Sequence, residues 1–376
     1  GAAEIRRAQE ACTELARTFD FELCMLHGDL PPAEQDRAVT RGPRRKVVLS
    51  TNIAETSLTL EGVVAVVDSG LSRVAGHSPW SGLSTLATAK ISQASAVQRM
   101  GRAGRVREGL CLRLYTKHDF DGRPRFDVPE LQNSDLAETE LLVRALLGAD
   151  APSLPWLESP PAAAQKAADD LLARLAAVDA GALTELGKKM LDMPVHPRIA
   201  RLAVALAERG YHAEGALLAA LVAEREIRLG QRTSFRGPQQ KHDEVGASDL
   251  LARLEAFEAL DEDLSPQSAR RHELDANAVR SVARTRDQLA RQLRDVPRRM
   301  DEPFESAARR ATLLAFSDRV GKRRKKNAPD IVLSGGGSAQ LAESSGVKEA
   351  ECVVAVEADE RPGRGASVRA ASSIEV

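Results

Sequence analysis

The chain has 376 residues, of which 43% are hydrophobic and 28% are charged. A chain of this kind can bury hydrophobic cores, which excludes wholesale disorder and predicts about two or three domains. Its formal net charge is −1, so a nucleic-acid surface would have to come from local clustering of charge. The four cysteines include no Cys-x-x-Cys pair. This favours reduced thiols in a cytoplasmic protein over a zinc site.

The first third of the chain alternates helix and strand signals. Residues 2–18 have the apolar spacing of a helix, and the prolines at 31–32 indicate the start of a second helix. Short runs rich in apolar residues predict strands at Phe21–Leu26, Lys46–Ser50, Val63–Asp68 and Leu110–Tyr115. Buried strands that alternate with helices predict a parallel sheet, so we interpret residues 1–119 as most of one α/β domain.

The composition changes after residue 119. Residues 120–133 have the proline content of a linker, and helix signals dominate from about residue 134 to 320. Residues 321–330 are interpreted as a basic linker. The short apolar runs after it predict the opening strands of a small β domain, cut short at Val376.

The strongest chemical signal is the run QRMGRAGR at residues 98–105. On a helix, Gln98, Arg102 and Arg105 would share one face, and the two glycines would let a neighbouring backbone come close on another side. An amide and two guanidiniums suit a phosphate whose charge is being redistributed, because arginine is permanently charged and forked. The alternative interpretation is a solvated basic helix end.

The second signal is the run STNIAETSLT at residues 50–59, directly after the predicted Val47–Leu49 strand. Open α/β sheets bind ligands at strand ends of this kind. Hydroxyl and amide groups there, with the N–H groups of a following helix turn, grip phosphates without reading bases. Ordinary turn and cap chemistry is the alternative, since Ser, Thr and Asn also serve there.

Together the two segments resemble motifs V and VI of the DEAH/RHA-type ATP-dependent RNA helicases of superfamily 2. The runs LHGDLP at 26–31, VVDSG at 66–70 and ISQASA at 91–96 fit the same family. Further along, LPWL at 154–157 and LTELGKKM at 183–190 are similar to the winged-helix and ratchet region of its bacterial HrpB branch. The resemblance covers nearly the whole chain.

The resemblance implies a multidomain fold. Residues 1–119 would be the second RecA-like helicase domain, an α/β domain whose parallel sheet is incomplete at its N-terminus. Residues 120–195 would be a linker and a winged helix, and residues 196–325 a helical ratchet bundle. Residues 326–376 would be a truncated OB-like β domain. The family's first RecA-like domain, which holds ATP, would be missing from the chain.

The resemblance also implies roles at the nucleotide. Arg102 and Arg105 would be arginine fingers that face the γ-phosphate of ATP, and Gln98 would help to place the attacking water. Glu61 sits where many relatives have Asp near the nucleotide, and its longer side chain leaves that contact open.

A second set of residues would contact RNA. Thr51, Asn52 and Ser57 would touch the RNA backbone or couple it to the nucleotide, and His27 and Gly28 would lie beside the RNA path.

No phosphate-binding loop is found in the sequence. The run GALTELGKK at 181–189 has five residues between its glycines where four are needed, and lysine in place of the metal-binding Ser or Thr. No Asp-Glu-x-His sequence occurs either. ATP and Mg²⁺ would therefore bind in the intact protein, with Mg²⁺ held by the missing domain and none bound by this chain alone. The isolated chain is expected to have no ATPase activity.

One later helix carries a weaker signal. Within residues 274–294, arginines occupy one helical face and apolar residues the opposite face; the arginines are Arg280, Arg284, Arg291 and Arg294. Such a helix could line a nucleic-acid channel, and the resemblance places it beside the RNA path. A solvated charged face is the alternative.

We interpret the chain as the C-terminal portion of an ATP-dependent RNA helicase. Its expected partners are single-stranded RNA, or an RNA duplex with an overhang, and the missing RecA-like domain; no membrane is expected. Two rival interpretations are a non-catalytic RNA-binding module and a DNA-directed superfamily 2 translocase.

Overall fold

The computed structural model of the chain describes residues 1–28, 30–56, 60–78, 82–105, 107–148, 154–229, 246–361 and 365–374. It divides into two compact units. The first unit comprises Gly1–Ala75 and Leu86–Pro129, and the second comprises Gly76–Thr85 and Glu130–Val376. No helix in the described ranges is both long and apolar enough to cross a membrane.

The first unit alternates helices and strands. Its elements are α1 (Ala2–Thr18), β1 (Glu22–Leu26), α2 (Pro32–Val39), β2 (Lys46–Ser50), α3 (Ile53–Thr56), β3 (Ala65–Asp68), β4 (Leu71–His77), β5 (Ser84–Lys90), α4 (Gln93–Gly101), β6 (Leu110–Arg113) and α5 (Lys117–Asp121). The predicted helices at residues 2–18 and after Pro31 are confirmed. The turn end of the β4–β5 hairpin, residues 76–85, is grouped with the second unit.

Two strand pairs of the first unit are parallel, as predicted. β1 pairs with β2, with Leu26 opposite Ser50, and β3 pairs with β6, with Ala65 opposite Leu110. Among the described residues these are two separate pairs, whereas the sequence analysis expected one sheet. Apolar content predicts that a segment is a strand, but it does not say which strand edges meet, and this limit explains the difference.

One face of the β3–β6 pair is apolar and exposed in the described structure. Side chains alternate along a strand, and Val67, Leu110 and Leu112 all lie on this face. They are 66%, 67% and 54% exposed, respectively. The opposite face carries Asp68, which is 2% exposed. Exposed apolar strand surface of this kind promotes self-association.

We therefore expect the double substitution Leu110→Lys and Leu112→Lys to reduce self-association of the purified chain. The unfolding temperature should stay nearly unchanged, because both side chains are already more than half exposed. Sedimentation velocity over a concentration series measures the association. Leu157→Lys is the matched control, because Leu157 is a fully exposed leucine of the second unit. Association that persists unchanged in the double variant would contradict the prediction.

The second unit is mainly helical and ends in strands. Its elements are α6 (Ala137–Leu147), α7 (Ala162–Arg174), β7 (Val178–Asp179), β8 (Ala182–Leu183), α8 (Glu185–Leu191), α9 (Pro197–Ala207), α10 (His212–Ala223), α11 (Asp249–Glu258), α12 (Pro266–Arg271), α13 (Ala276–Leu293), α14 (Phe304–Ala315), β9 (Val320–Arg323), β10 (Asp330–Leu333), β11 (Ser338–Leu341), β12 (Cys352–Arg361) and β13 (Gly365–Ile374). α10 packs against α9 and α13 in a core made largely of Ala, Leu and Val. The helix-rich composition therefore has its physical basis in aliphatic packing.

The five last strands form a closed mixed sheet. Their order is β13-β11-β10-β9-β12, and β12 also pairs with β13. The sequence analysis expected only the opening strands of this domain. Within the second unit β12 also pairs in parallel with the first two residues of β5, with Asp359 opposite Ser84.

The start of the expected basic linker, up to Arg323, belongs to a strand. Val320–Arg323 pairs with both β10 and β12, so the sheet begins before the expected boundary at residue 326. Lys322 is exposed, whereas Arg323 is buried and donates from its Nε to the Ala350 carbonyl oxygen at 2.7 Å. The physical reason is that a buried arginine satisfied by carbonyls has the same sequence signature as a solvated one.

Candidate functional site

Helix α4 carries the QRMGRAGR run and is held at its start by polar bonds. The Ser92 hydroxyl oxygen accepts a hydrogen bond from the Ser95 N–H at 3.0 Å, which caps the helix. The Gln93 side-chain amide donates to three carbonyl oxygens between residues 120 and 123, at 3.1 to 3.2 Å. These bonds attach the start of α4 to the end of α5 and the turn that follows it.

Helix α4 ends earlier than the predicted spacing requires. It stops at Gly101, and the Arg102 N–H bonds to the Arg99 carbonyl oxygen at 3.2 Å in a tighter turn. Arg105 therefore lies beyond the helix, and the prediction of one helical face for all three residues is wrong. Two glycines within four residues weaken helix formation, because glycine loses the most conformational freedom in a helix.

The close approach of backbone predicted at the motif's glycines is not seen within the described part of the chain. Among the described residues, nothing lies within 4 Å of a Cβ placed on Gly101 or Gly104. The close approach occurs instead at Gly109, where a Cβ would lie 2.1 Å from the Ala103 carbonyl oxygen. Gly109 thus lets the chain pass directly over the turn after α4.

The three residues predicted to act on the nucleotide have different surroundings. Gln98 is exposed on α4, and Arg105 is exposed in the turn beyond it. Arg102 is half-buried, and its Nη2 donates to the main-chain carbonyl oxygen of Glu55. Burial and the positive charge of Arg105 both lower the pKa of Arg102. Guanidinium groups are well suited to bind phosphate.

Arg99, which no sequence pattern singled out, is the centre of a polar network. Its Nε donates to Glu55 Oε2 at 2.8 Å, and its Nη1 donates to Asp68 Oδ1 at 2.9 Å. The Arg99 side chain is 13% exposed. Glu55 also accepts a hydrogen bond from the Ser95 hydroxyl. No spacing rule points to these partners, since they lie 44 and 31 residues away in the sequence.

Asp68 closes the same network at the end of β3. Its Oδ1 also accepts from the Gly70 N–H at 2.9 Å, and its Oδ2 accepts from the Tyr115 hydroxyl at 2.9 Å. Burial alone would raise the pKa of Asp68, but the hydrogen bonds from Gly70, Arg99 and Tyr115 lower it below its usual value. Burial and the bond to Asp68 raise the pKa of Tyr115 to about 12.

We expect Asp68→Asn to lower the stability of the chain at pH 7 by about 3 kcal/mol, because it leaves Arg99 with one carboxylate. The pKa of Asp68 is lower in the folded chain than in the unfolded chain, where it is about 4. Its stabilising contribution is therefore fully present above that value and is lost as the pH falls through the folded pKa. The loss of stability caused by the substitution should therefore be smaller in acid. Urea unfolding of both proteins at pH 7 and pH 3 measures this loss.

Asp20→Asn is the control for this prediction. Asp20 pairs with Arg44 in the same unit, but its side chain is 84% exposed. This substitution should change the urea midpoint little at either pH, since exposed ion pairs contribute roughly 0–1 kcal/mol. Equal losses for Asp68→Asn at pH 7 and pH 3 would contradict the assignment.

The turn after β2 contains the predicted RNA-backbone residues. The Thr51 N–H donates to the Leu26 carbonyl oxygen at 3.2 Å, and the Thr51 hydroxyl oxygen accepts from the Ile53 N–H at 3.5 Å. Asn52 is exposed at the start of α3. Ser57 lies outside the described residues.

The residues predicted beside the RNA path meet this turn at one sheet edge. His27 and Gly28 follow β1 directly, and β1 is parallel to β2, so the carboxyl ends of both strands lie together. Gly28 is exposed, whereas His27 is only 8% exposed. The backbone at Gly28 and the side chain at Asn52 are therefore the more accessible of these groups.

Glu61 lies exposed in the turn before β3. Within the described ranges, no three histidine, cysteine or acidic side chains converge closely enough to hold a metal ion.

The predicted arginine helix lies in the second unit as α13. Arg280 and Arg284 are exposed and donate to Asn277 Oδ1 at 2.6 Å and to Ser281 Oγ at 3.2 Å, respectively. On the opposite side Val279, Val282 and Leu289 are completely buried. In the described part of the chain, neither Arg280 nor Arg284 is paired with a carboxylate, so their charge faces solvent.

The chain is similar to known helicases. Residues 2–107 match the helicase conserved C-terminal domain. The chain is 34% identical over 293 residues to the ATP-dependent RNA helicase HrpA of Escherichia coli, covering 76% of this chain and 22% of HrpA. It is 38% identical over 226 residues to HrpB of the same bacterium, covering 60% of this chain and 28% of HrpB.

A solved structure is similar over a longer stretch. The crystal structure of the Escherichia coli DExH-box NTPase HrpB matches 100% of this chain and 42% of its own, with 30% identity and a TM-score of 0.76. The chain thus spans less than half the length of each of these relatives.

Proposed function

We propose that the chain supplies the arginine fingers and RNA-backbone contacts of an ATP-dependent RNA helicase. The chain belongs to the DEAH/RHA-type helicases, and its residues 2–107 match the helicase conserved C-terminal domain. One observation carries the proposal. The guanidinium of Arg102 donates to the carbonyl oxygen of Glu55 in α3, the helix that begins directly after Thr51 and Asn52. A candidate finger thus contacts the short helix that directly follows the candidate RNA turn.

The chemistry of the site suits ATP hydrolysis. ATP, when bound, supplies the phosphoryl group whose transfer to water builds negative charge on the phosphate oxygens. Permanent cations offered from across a cleft stabilise that charge, and Arg102 and Arg105 are such cations. Gln98 presents an exposed amide one helical turn before Arg102, where it can donate to a water molecule or accept from it. We assign Mg²⁺ and the remaining phosphate contacts to an ATP-binding domain of the longer protein.

The proposed RNA contacts are of a kind that does not read sequence. The turn at Thr51 and Asn52 offers a hydroxyl, an amide and backbone N–H groups, and α13 offers exposed guanidiniums. These groups bind phosphates, which are the same at every nucleotide. The two helicase relatives are both named for RNA, which favours RNA over DNA as the strand bound here.

The finger assignment has a direct test in the full-length protein. Arg102→Ala or Arg105→Ala should reduce the rate of ATP hydrolysis at saturating RNA by at least about 10³-fold, as for other arginine fingers. ATP binding should change much less, because the fingers act mainly on charge that develops during the reaction. Phosphate release gives the rate, and a fluorescent ATP analogue gives the affinity.

Arg17→Ala is the control, because Arg17 is an exposed arginine in the last turn of α1 in the same unit. It should leave hydrolysis unchanged. Near-normal hydrolysis in both finger variants would remove the assignment. The 376-residue chain alone should release no phosphate above background, even with RNA present.

The arginine face of α13 has an equilibrium test. Arg280→Ala combined with Arg284→Ala should weaken RNA binding without base preference, because each arginine neutralises phosphate charge. The slope of log affinity against log salt should flatten by about 0.7 for each single-strand phosphate that the variant no longer neutralises. Fluorescence anisotropy with poly-U and mixed-sequence oligonucleotides at several salt concentrations measures both quantities.

Arg298→Ala is the matched control for this surface. Arg298 is an exposed arginine of the same unit, but it is already paired with Asp301 at 2.5 Å. Its removal should not change the salt slope. If the double variant kept the wild-type slope and affinity, α13 would be a solvated charged face.

A further inference from the structure

One buried arginine connects the candidate finger helix to the candidate RNA turn. Arg99 lies on α4, directly after Gln98, and its guanidinium reaches Glu55 on α3 and Asp68 at the end of β3. A third bond runs from Arg99 Nη1 to the Leu71 carbonyl oxygen at 3.1 Å. Arg99 thus holds three segments of the first unit together.

Both the side chain and the main chain of Glu55 are bonded to α4 or to the residue that ends it. Its carboxylate accepts from Ser95 and Arg99, and its main-chain carbonyl accepts from Arg102. A displacement of α3 must therefore either break these bonds or move the side chain of Arg102. Because α3 follows Thr51 and Asn52 directly, a displacement of their turn reaches α3 first.

We propose that Arg99 is a positioning residue that transmits RNA binding at the Thr51–Asn52 turn to the finger Arg102. The proposal rests on the function proposed above and assigns no contact with RNA or nucleotide to Arg99 itself. When RNA fixes the turn, α3 is fixed with it, and the Arg99–Glu55 ion pair passes that constraint to α4. Without the ion pair, the turn and the finger would respond independently.

The geometry requires arginine at this position. The forked guanidinium donates through different nitrogens to two carboxylates on different segments. A lysine ammonium is a compact charge on a flexible stem and cannot span both in the same planar arrangement. Arg99→Lys therefore keeps the charge and removes the double attachment.

The test compares stimulation rather than rate alone, in the full-length protein. ATP hydrolysis is measured without RNA and over a series of poly-U concentrations for wild type, Arg99→Lys and Glu55→Gln. The ratio of stimulated to unstimulated hydrolysis should fall by at least about 10-fold in both variants. A change of this size is typical of coupling between two sites. A residue with only a structural role would lower both rates together and leave the ratio unchanged.

Arg123→Lys is the matched control. Arg123 is a buried arginine of the same unit whose side chain pairs with Asp119 and donates to the carbonyl oxygens of Gly70 and Ile91. Its one described bond to α4 runs from Gln93 to its main-chain carbonyl oxygen, which the substitution retains. It should lower the unfolding temperature without changing the stimulation ratio. Ser95→Ala removes only one bond to Glu55, so it gives a milder second variant if Arg99→Lys fails to fold. Its ratio should fall by a smaller factor, about 2- to 5-fold.

The outcomes separate the two proposals. A wild-type protein with no RNA-stimulated hydrolysis would overturn the proposed function itself. A stimulated wild type whose folded Arg99→Lys and Glu55→Gln variants keep the wild-type ratio would overturn the positioning role alone. If only Ser95→Ala folds, an unchanged ratio in that variant would overturn it equally.

Discussion

The ion pairs of Arg99 with Glu55 and Asp68 are the constraint on which the rest of the first unit's site depends. All three groups are largely withdrawn from water, with side-chain exposures of 13%, 13% and 0%. Leaving one such charge unpaired costs several kcal/mol, so the three must stay together once the chain folds. The pairs therefore hold α3, α4 and the end of β3 in one arrangement. The hydrophobic cluster beside them is small, with Cys24, Leu26 and Ala38 as its buried members.

The second unit uses buried arginines in the same way but depends on them less. Arg253 reaches Glu226 at 2.7 Å and also pairs with Glu357, which joins α11 to strand β12. Here a large core of aliphatic side chains surrounds the pair. Aromatic residues make up only 3% of the chain, so ion pairs serve as the specific links between elements that aromatic packing often provides.

The parts of the fold that follow from local pattern could be predicted from the sequence. The amphipathic α13 and the proline-initiated α2 occur as expected, because periodicity and helix-start signals act over a few residues. The strand at Val320–Arg323 and the end of α4 at Gly101 could not be predicted in this way. The strand depends on pairing with β12, which is distant in the sequence, and the turn after the helix depends on the chain that crosses it at Gly109.

Single residues of the candidate site also differ in what the sequence can predict about them. Arg99 and Arg102 belong to one short motif, and no spacing rule separates their roles. Their partners do separate them: Arg99 donates to two carboxylates, whereas Arg102 donates to a carbonyl, which is neutral. A guanidinium neutralised by two carboxylates has little attraction left for phosphate. Arg280 and Arg284 are exposed and bond to neutral groups on their own helix, so their charge stays available. The charge of the partner, which only the folded chain reveals, thus distinguishes arginines that build the site from arginines suited to bind a ligand.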